Sequence, residues 1–111
     1  MSRDDAIVLD ILKSAQLVIE FVGSLDKEAF LRDRKTQSAV LHQLLLVGEA
    51  VKRLSENYRA AHPEIPWKRV AGMRDVLIHQ YDDVDLDEVW KTVKAEIPKL
   101  SSQLQSLVPR K

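Results

Sequence analysis

The sequence predicts an all-α fold, a four- or five-helix up-and-down bundle built as one domain over residues 1–111. Three observations predict it. Leu, Val, Ile and Ala supply most of a 45% hydrophobic composition, with 5% aromatics and three glycines. Apolar residues recur at spacings of three and four along most of the chain, the period of a helix with one buried face. No segment alternates apolar and polar residues as a half-buried strand does, and there is no internal repeat or low-complexity tract. A chain of 111 residues suits a single core.

The first helix follows Ser2, Asp4 and Asp5, any of which can cap it. It carries Ile7, Val8, Ile11, Leu12, Ala15, Val18, Ile19 and Val22 at helical spacing, and Gly23-Ser24 ends it. A short second helix begins at Asp26 with Ala29, Phe30 and Leu31, before the polar stretch Arg32 to Lys35. Thr36 can cap a third helix reaching about Asn57, with a stripe of Val40, Leu44, Val47, Val51 and Leu54 widened by Leu41, Leu45 and Leu46. A stripe this wide suits either a central helix or one shared between the core and a partner chain. Gly48 in its middle costs about 1 kcal/mol relative to Ala unless it lets another helix approach. Tyr58 to Pro66, with two prolines, reads as a loop, and Pro66 suits the first turn of a fourth helix running to about Gln80. Trp67 would anchor that helix, and Asp82 to Asp85 would form a turn. The last helix starts near Asp85, with Asp87 and Glu88 in its first turn complementing the helix dipole. Its stripe is Leu86, Trp90, Val93, Ile97, Leu100, Leu104 and Leu107, unbroken in phase across Pro98, so a kink at Pro98 is expected and not a break.

Charge and composition narrow the function classes. Lys+Arg and Asp+Glu are each 17, so the molecule has no overall basic field for nucleic acid. Locally, Lys52, Arg53, Arg59, Lys68, Arg69 and Arg74 outnumber the acids between them, and Asp82, Asp83, Asp85, Asp87 and Glu88 follow as an acidic cluster. Solvated helix faces and an acidic helix start account for both. The absence of cysteine excludes disulfides, thiolate catalysis and Cys-based zinc sites. The start MSRDDAIV lacks signal-peptide organisation, and the longest apolar run, Leu44 to Val47, is too short to span a bilayer, so a cytoplasmic location and no membrane association are expected.

One stretch resists explanation by burial. Gly72 to Tyr81, GMRDVLIHQY, sets Arg74, Asp75, His79 and Tyr81 among apolar residues. On a continuous helix Asp75 and His79, four apart, share a face, so the carboxylate would fix the imidazole tautomer. Arg74 lies roughly 140° and about 7.5 Å from His79 on such a helix, near enough for a long side chain to lean to the same cleft. A planar guanidinium holds phosphate and an imidazole moves a proton near neutral pH. Together they can cleave RNA without a metal, because the ribose 2′-hydroxyl is its own nucleophile. A purely structural reading stands beside this one, with His79 meeting helix-terminal carbonyls, Arg74 paired with a carboxylate and Tyr81 packed.

Arg74-x4-His79-x-Tyr81 resembles the Arg-x(4–6)-His-x-Tyr signature of HepT-like toxins in the HEPN superfamily. Ile65-Pro66-Trp67, Gly72-Met73-Arg74-Asp75, Gly48-Glu49-Ala50, and Val84-Asp85-Leu86 followed by Val89-Trp90 are similar to that family in order and spacing. The resemblance implies a HEPN helical bundle that dimerises, with two copies of the motif forming one cleft. It implies a metal-independent endoribonuclease, the toxin component of a type II toxin-antitoxin system, with Arg74 and His79 as the catalytic pair and Asp75 supporting. It implies a minimal nucleotidyltransferase antitoxin that transfers AMP onto Tyr81. A catalytically silent HEPN module binding nucleotide or protein, and a purely structural helical dimer, are the alternatives.

Other residues are assigned more plainly. Lys68 and Arg69 are candidates for additional RNA contacts, against a solvated-surface reading. His42 is expected to be packed or at an interface, and His62 exposed in its loop. Glu49 is expected to pair with Arg53 or with another helix, and Trp67 and Trp90 to anchor the core. The three histidines share no ligand spacing, so neither a metal nor a cofactor is expected.

Overall fold

The computed structural model describes residues 2–80 and 83–108, with the backbone alone for Val76, Ile78, His79 and Gln80. Helix α1 (Arg3–Val22) begins in a capping box. Ser2 Oγ accepts the Asp5 N–H at 3.0 Å, and the Asp5 carboxylate accepts the Ser2 N–H at 3.4 Å. It ends where Gly23 takes φ +52°, a conformation in which a Cβ is strained. Helix α2 (Lys27–Arg32) is capped by Asp26, whose carboxylate accepts the Ala29 N–H at 2.8 Å. It buries Phe30 completely, 5.4 Å between ring centres from Trp90.

Helix α3 (Arg34–Arg53) is capped by Asp33, not by Thr36. Only one residue separates α2 from α3, so the carboxylate just ahead of the helix reaches both the Thr36 N–H at 3.0 Å and the Thr36 hydroxyl at 2.8 Å. The helix also stops short of Asn57. Leu54 turns extended, and Ser55 caps a new helix, α4 (Glu56–Ala61), which occupies half of the stretch expected to be loop. The break has a partner across the fold: the Asp4 carboxylate accepts both the Ser55 N–H at 2.9 Å and its hydroxyl at 2.7 Å. Ser55 Oγ in turn accepts the Tyr58 N–H at 3.1 Å.

Gly48 provides the close approach that its position suggested. A Cβ there would lie 3.4 Å from the Ala71 carbonyl oxygen and 3.5 Å from that of Val70, both in helix α5 (Trp67–Ala71). Pro66 sits at the cap of α5, one place earlier than expected. Trp67 is a buried anchor whose indole N–H donates to the His62 carbonyl at 3.0 Å. His62 is half-buried, not exposed, because its ring lies 4.6 Å from that of Tyr58. Burial raises the Tyr58 phenol above its ordinary pKa, with Asp5, Asp4 and Glu64 adding to the effect.

The main departure from expectation follows. The helix read as running to Gln80 is interrupted at Gly72, resumes as α6 (Met73–Leu77) and then stops. Residues Ile78–Gln80 form a strand, β1, antiparallel to β2 (Asp83–Val84), with Ile78 opposite Val84 and Gln80 opposite Asp83. The Asp85 N–H donates to the Leu77 carbonyl at 2.9 Å, taking an acceptor that a continuing helix would have used itself. Apolar neighbours such as Leu77 and Ile78 fit either period, so periodicity alone does not distinguish the strand from a helix end.

Asp85 then caps α7 (Leu86–Lys91), accepting the Glu88 N–H at 3.1 Å. A π-helical turn, Thr92–Glu96, joins it to α8 (Ile97–Gln105). The backbone stays helical at Lys91, Thr92, Glu96 and Ile97, so the helix is not broken. The wider turn sits immediately ahead of Pro98, where a regular helix would suffer both a missing N–H and a ring–carbonyl clash. The turn also brings Val89 into full burial beside Val93, Ile97, Leu100 and Leu104, leaving Trp90 half-buried.

The core is a helical sandwich in which α1 packs on α3 and α8, while α5 and α6 lie against α3. The extra leucines of α3 are graded: Leu41 and Leu45 are half-buried, and Leu46 is 42% exposed. His42 is exposed in the isolated chain. Glu49 is exposed and pairs with Lys52 at 3.6 Å, not with Arg53. Among the described residues no helix is long and apolar enough to cross a membrane.

Candidate active site

The candidate residues sit where the bundle is least regular, on the short arm between Gly72 and Asp85. Met73 and Leu77, four apart, face inward and are buried. They hold α6 against the core and leave the other face to solvent. On that face the Arg74 side chain is 51% exposed and the Asp75 side chain 79%. Their charged groups are 3.5 Å apart, a loose pairing that water screens. The guanidinium is therefore available to an anion at little cost.

The structure does not place His79 on a helical face shared with Asp75. The helix ends at Leu77, and His79 lies in β1, two residues into the hairpin. The expected i,i+4 relation between carboxylate and imidazole is lost, and Asp75 is placed as the neighbour of Arg74. Tyr81 lies outside the described residues. Arg74 and His79 are thus joined by a helix-to-strand transition anchored by Leu77 and by the Asp85–Leu77 hydrogen bond.

Lys68 and Arg69 lie on α5, one short helix earlier, and both are exposed. Arg69 makes an ion pair with Glu96 of the π-helical turn, so its charge is already partly answered. Sequence reasoning missed Glu96 and the donation of the Asp85 N–H to the Leu77 carbonyl, though not the helix start at Asp85. A single polar residue in a long helix gives no sign of its partner, but Asp85 four residues before Val89 did carry a capping signal. Among the described residues, no three His, Asp or Glu side chains converge as a metal site requires.

Similarity to known proteins gives this geometry a context. The profile of the family "Ribonuclease HepT-like" matches residues 11–107. The chain belongs to that family. Its enzyme class is accordingly ribonuclease, and the all-α fold agrees with the family assignment. Among HepT-like relatives, "Probable ribonuclease HepT" of Thermococcus cleftensis is 45% identical over 98 residues, covering 88% of this chain and 89% of that protein. A "Putative RNase" of Methanocaldococcus jannaschii is 36% identical over 107 residues, 95% of this chain and 98% of its own length. Another "Putative RNase", from Caldanaerobacter subterraneus, is 38% identical over 100 residues, 90% of this chain and 89% of its own length. No solved structure matches this HepT-like chain at a significant level.

Proposed function

We propose that this HepT-like protein is the toxin of a type II toxin-antitoxin pair, a cytoplasmic, metal-independent endoribonuclease whose site is completed across a homodimer. The observation that carries the reading is Arg74: an exposed guanidinium on α6, held among the described residues by a loose contact to Asp75, just ahead of the hairpin that contains His79. In the reaction an imidazole takes the proton of the ribose 2′-hydroxyl, and that oxygen attacks the adjacent phosphorus. The bond from phosphorus to the 5′-oxygen breaks, and the leaving oxygen takes a proton from an imidazolium. The products are a 2′,3′-cyclic phosphate and a 5′-hydroxyl. Arg74 holds the non-bridging oxygens as charge accumulates. Two copies of the motif supply two imidazoles, one as base and one as acid, which a single His79 would have to do in turn. Asp75, beside Arg74, limits the rotamers of the guanidinium.

Control is assigned to Tyr81. A nucleotidyltransferase antitoxin moves AMP from ATP onto the phenol oxygen, with pyrophosphate leaving. The adduct adds bulk and negative charge beside a surface that must bind RNA phosphate. Lys68 extends that surface along α5 within a single HEPN-type domain.

The decisive experiment incubates purified protein with RNA in EDTA and resolves the termini of the products. His79→Ala and Arg74→Ala should each abolish most cleavage while leaving the thermal unfolding transition in place. Cleavage by His79→Ala at the parental rate would remove the site from the mechanism. Mass spectrometry of protein co-produced with its neighbouring gene product tests Tyr81; an unmodified Tyr81 in a silenced toxin would exclude that form of control.

A further inference from the structure

Behind α6, on the face away from Arg74, a cleft of about 360 Å³ separates α5 from the last helix. Its apolar surface comes from Pro66, Val70, Met73 and Leu100, and its rim carries Arg69 and Lys99. One carboxylate, Glu96, also lines it, and the ion pair with Arg69 neutralises that charge. Lys99 is exposed and makes no ion pair among the described residues, so the rim carries one uncompensated positive charge. Beyond the Arg69–Glu96 bridge a smaller hollow of about 40 Å³ continues past Met73 and Thr92 to Leu77, the last residue before the hairpin. Cleft and hollow share Arg69, Met73 and Glu96 in their walls, and the hollow, which Glu88 also lines, reaches Leu77 at the base of the arm bearing Arg74 and His79.

We propose that this cleft is an RNA subsite that receives one base of the substrate strand, with the backbone phosphate of that nucleotide on Lys99. This rests on the ribonuclease reading and adds to it where the strand runs. The cleft lies at the lower end of the size range of small-ligand pockets, which suits a nucleotide and not a larger ligand. The proline ring, the thioether of Met73 and the branched chains of Val70 and Leu100 offer an apolar bed to a base of any identity. The lining offers no aromatic ring to stack on, so the base is held by apolar burial and the backbone by the rim charge, neither of which reads sequence. The short side chain of Ala95, exposed on the π-helical turn, leaves the mouth open.

The test uses a fluorescein-labelled single-stranded oligoribonucleotide with 2′-methoxy groups in place of 2′-hydroxyls, which binds but cannot supply the nucleophile. Ala95→Trp fills the mouth from an exposed position, and Lys99→Gln removes the rim charge. Each should weaken binding about tenfold, the loss of one buried base or one phosphate contact. Lys99→Gln should also lower the slope of log affinity against log salt by about one, and Ala95→Trp should leave that slope unchanged. Unaltered affinity in Ala95→Trp, or an unaltered salt slope in Lys99→Gln, overturns the subsite. A change in subunit stoichiometry with Ala95→Trp, read by sedimentation, also overturns it, because the cleft would then be a contact between copies. Cleavage of the ordinary oligoribonucleotide reports separately on the parent reading. A protein that cleaves RNA with both variants unaffected loses only the subsite, and one that binds through the cleft without cleaving loses only the catalysis.

Discussion

Replacing Gly48 tests how tightly the site-bearing arm is seated. Gly48→Ala places a methyl group 3.4 Å from the Ala71 carbonyl oxygen and 3.5 Å from that of Val70. Both are ordinary van der Waals distances, so α5 need not move. Against this stands the gain of about 1 kcal/mol in helix propensity on replacing glycine by alanine. Gly48→Ala should therefore be neutral or stabilising by up to about 1 kcal/mol. Gly48→Val carries two further carbons outward from that Cβ into the same carbonyls, which belong to backbone and cannot rotate away. Overpacking of this kind costs about 1–3 kcal/mol, and valine keeps little of the propensity gain. The two variants should thus fall on opposite sides of the parent in urea unfolding followed by tryptophan fluorescence at fixed protein concentration. Fixed concentration matters because any dimer couples stability to mass action. If valine is tolerated as well as alanine, α5 does not press on α3 at this point and the account of Gly48 is wrong.

Four further outcomes are expected. Arg74→Ala should lower kcat/KM for RNA cleavage by about 10²–10³-fold, the usual cost of losing one donor to transition-state charge, and lysine should restore only part of it because a point charge lacks the planar fork. Phe30→Ala should destabilise the fold by about 3–5 kcal/mol in denaturant unfolding, since a fully buried ring in contact with Trp90 leaves a cavity that α2 alone cannot close. Acid should weaken the fold in a way traceable to Asp4 and Asp33. Hydrogen bonds from Ser55 and from Thr36 hold these two carboxyls below the ordinary carboxylate range. The unfolded chain then binds protons first. Their contribution is complete above the unfolded value of about pH 4 and is lost as pH falls through the lower folded values. Asp4→Asn, which removes the titrating group that the Ser55 N–H and hydroxyl hold, should flatten that acid slope in unfolding measured across pH, and an unchanged slope would refute the Asp4 contribution. Leu77→Ala should cost about 2–5 kcal/mol and lower cleavage beyond what the loss of folded protein explains, as measured by activity per folded molecule.

Much of this fold is legible residue by residue. Ser2, Asp26 and Asp85 stand where helix starts need them, Gly23 stands where a helix must stop, and the stripes of α1 and α3 name most of their buried residues, Ile19 and Leu46 being the exposed exceptions. The failures share a cause. Leu54 continues the helical stripe, so periodicity carries α3 onward; what ends it is Asp4, fifty-one residues earlier in the chain, claiming the Ser55 N–H. Asp33 displaces Thr36 as a cap through the shortness of the α2–α3 link, which periodicity does not register. The strand at Ile78 depends on its pairing with Val84 and on Asp85 taking the Leu77 carbonyl. In the site, residue chemistry singled out Arg74 and Asp75, whereas the placement of His79 and the Arg69–Glu96 pair needed the tertiary structure.

The end of α6 at Leu77 bears on how the motif can vary in length. Were Arg74 and His79 on one continuous helix, each residue inserted between them would swing the histidine by about 100° around the axis. No single spacing could then be exchanged for another without turning His79 to a different side of the helix. In a helix-to-strand junction a residue added after Leu77 leaves the buried Met73 and Leu77 in their seats, moves His79 one place along β1 and turns it to the other face of the ribbon, and a second added residue turns it back. An arginine-to-histidine interval of four, five or six residues is then compatible with one and the same bundle. The junction separates the position of His79 from the register of the core.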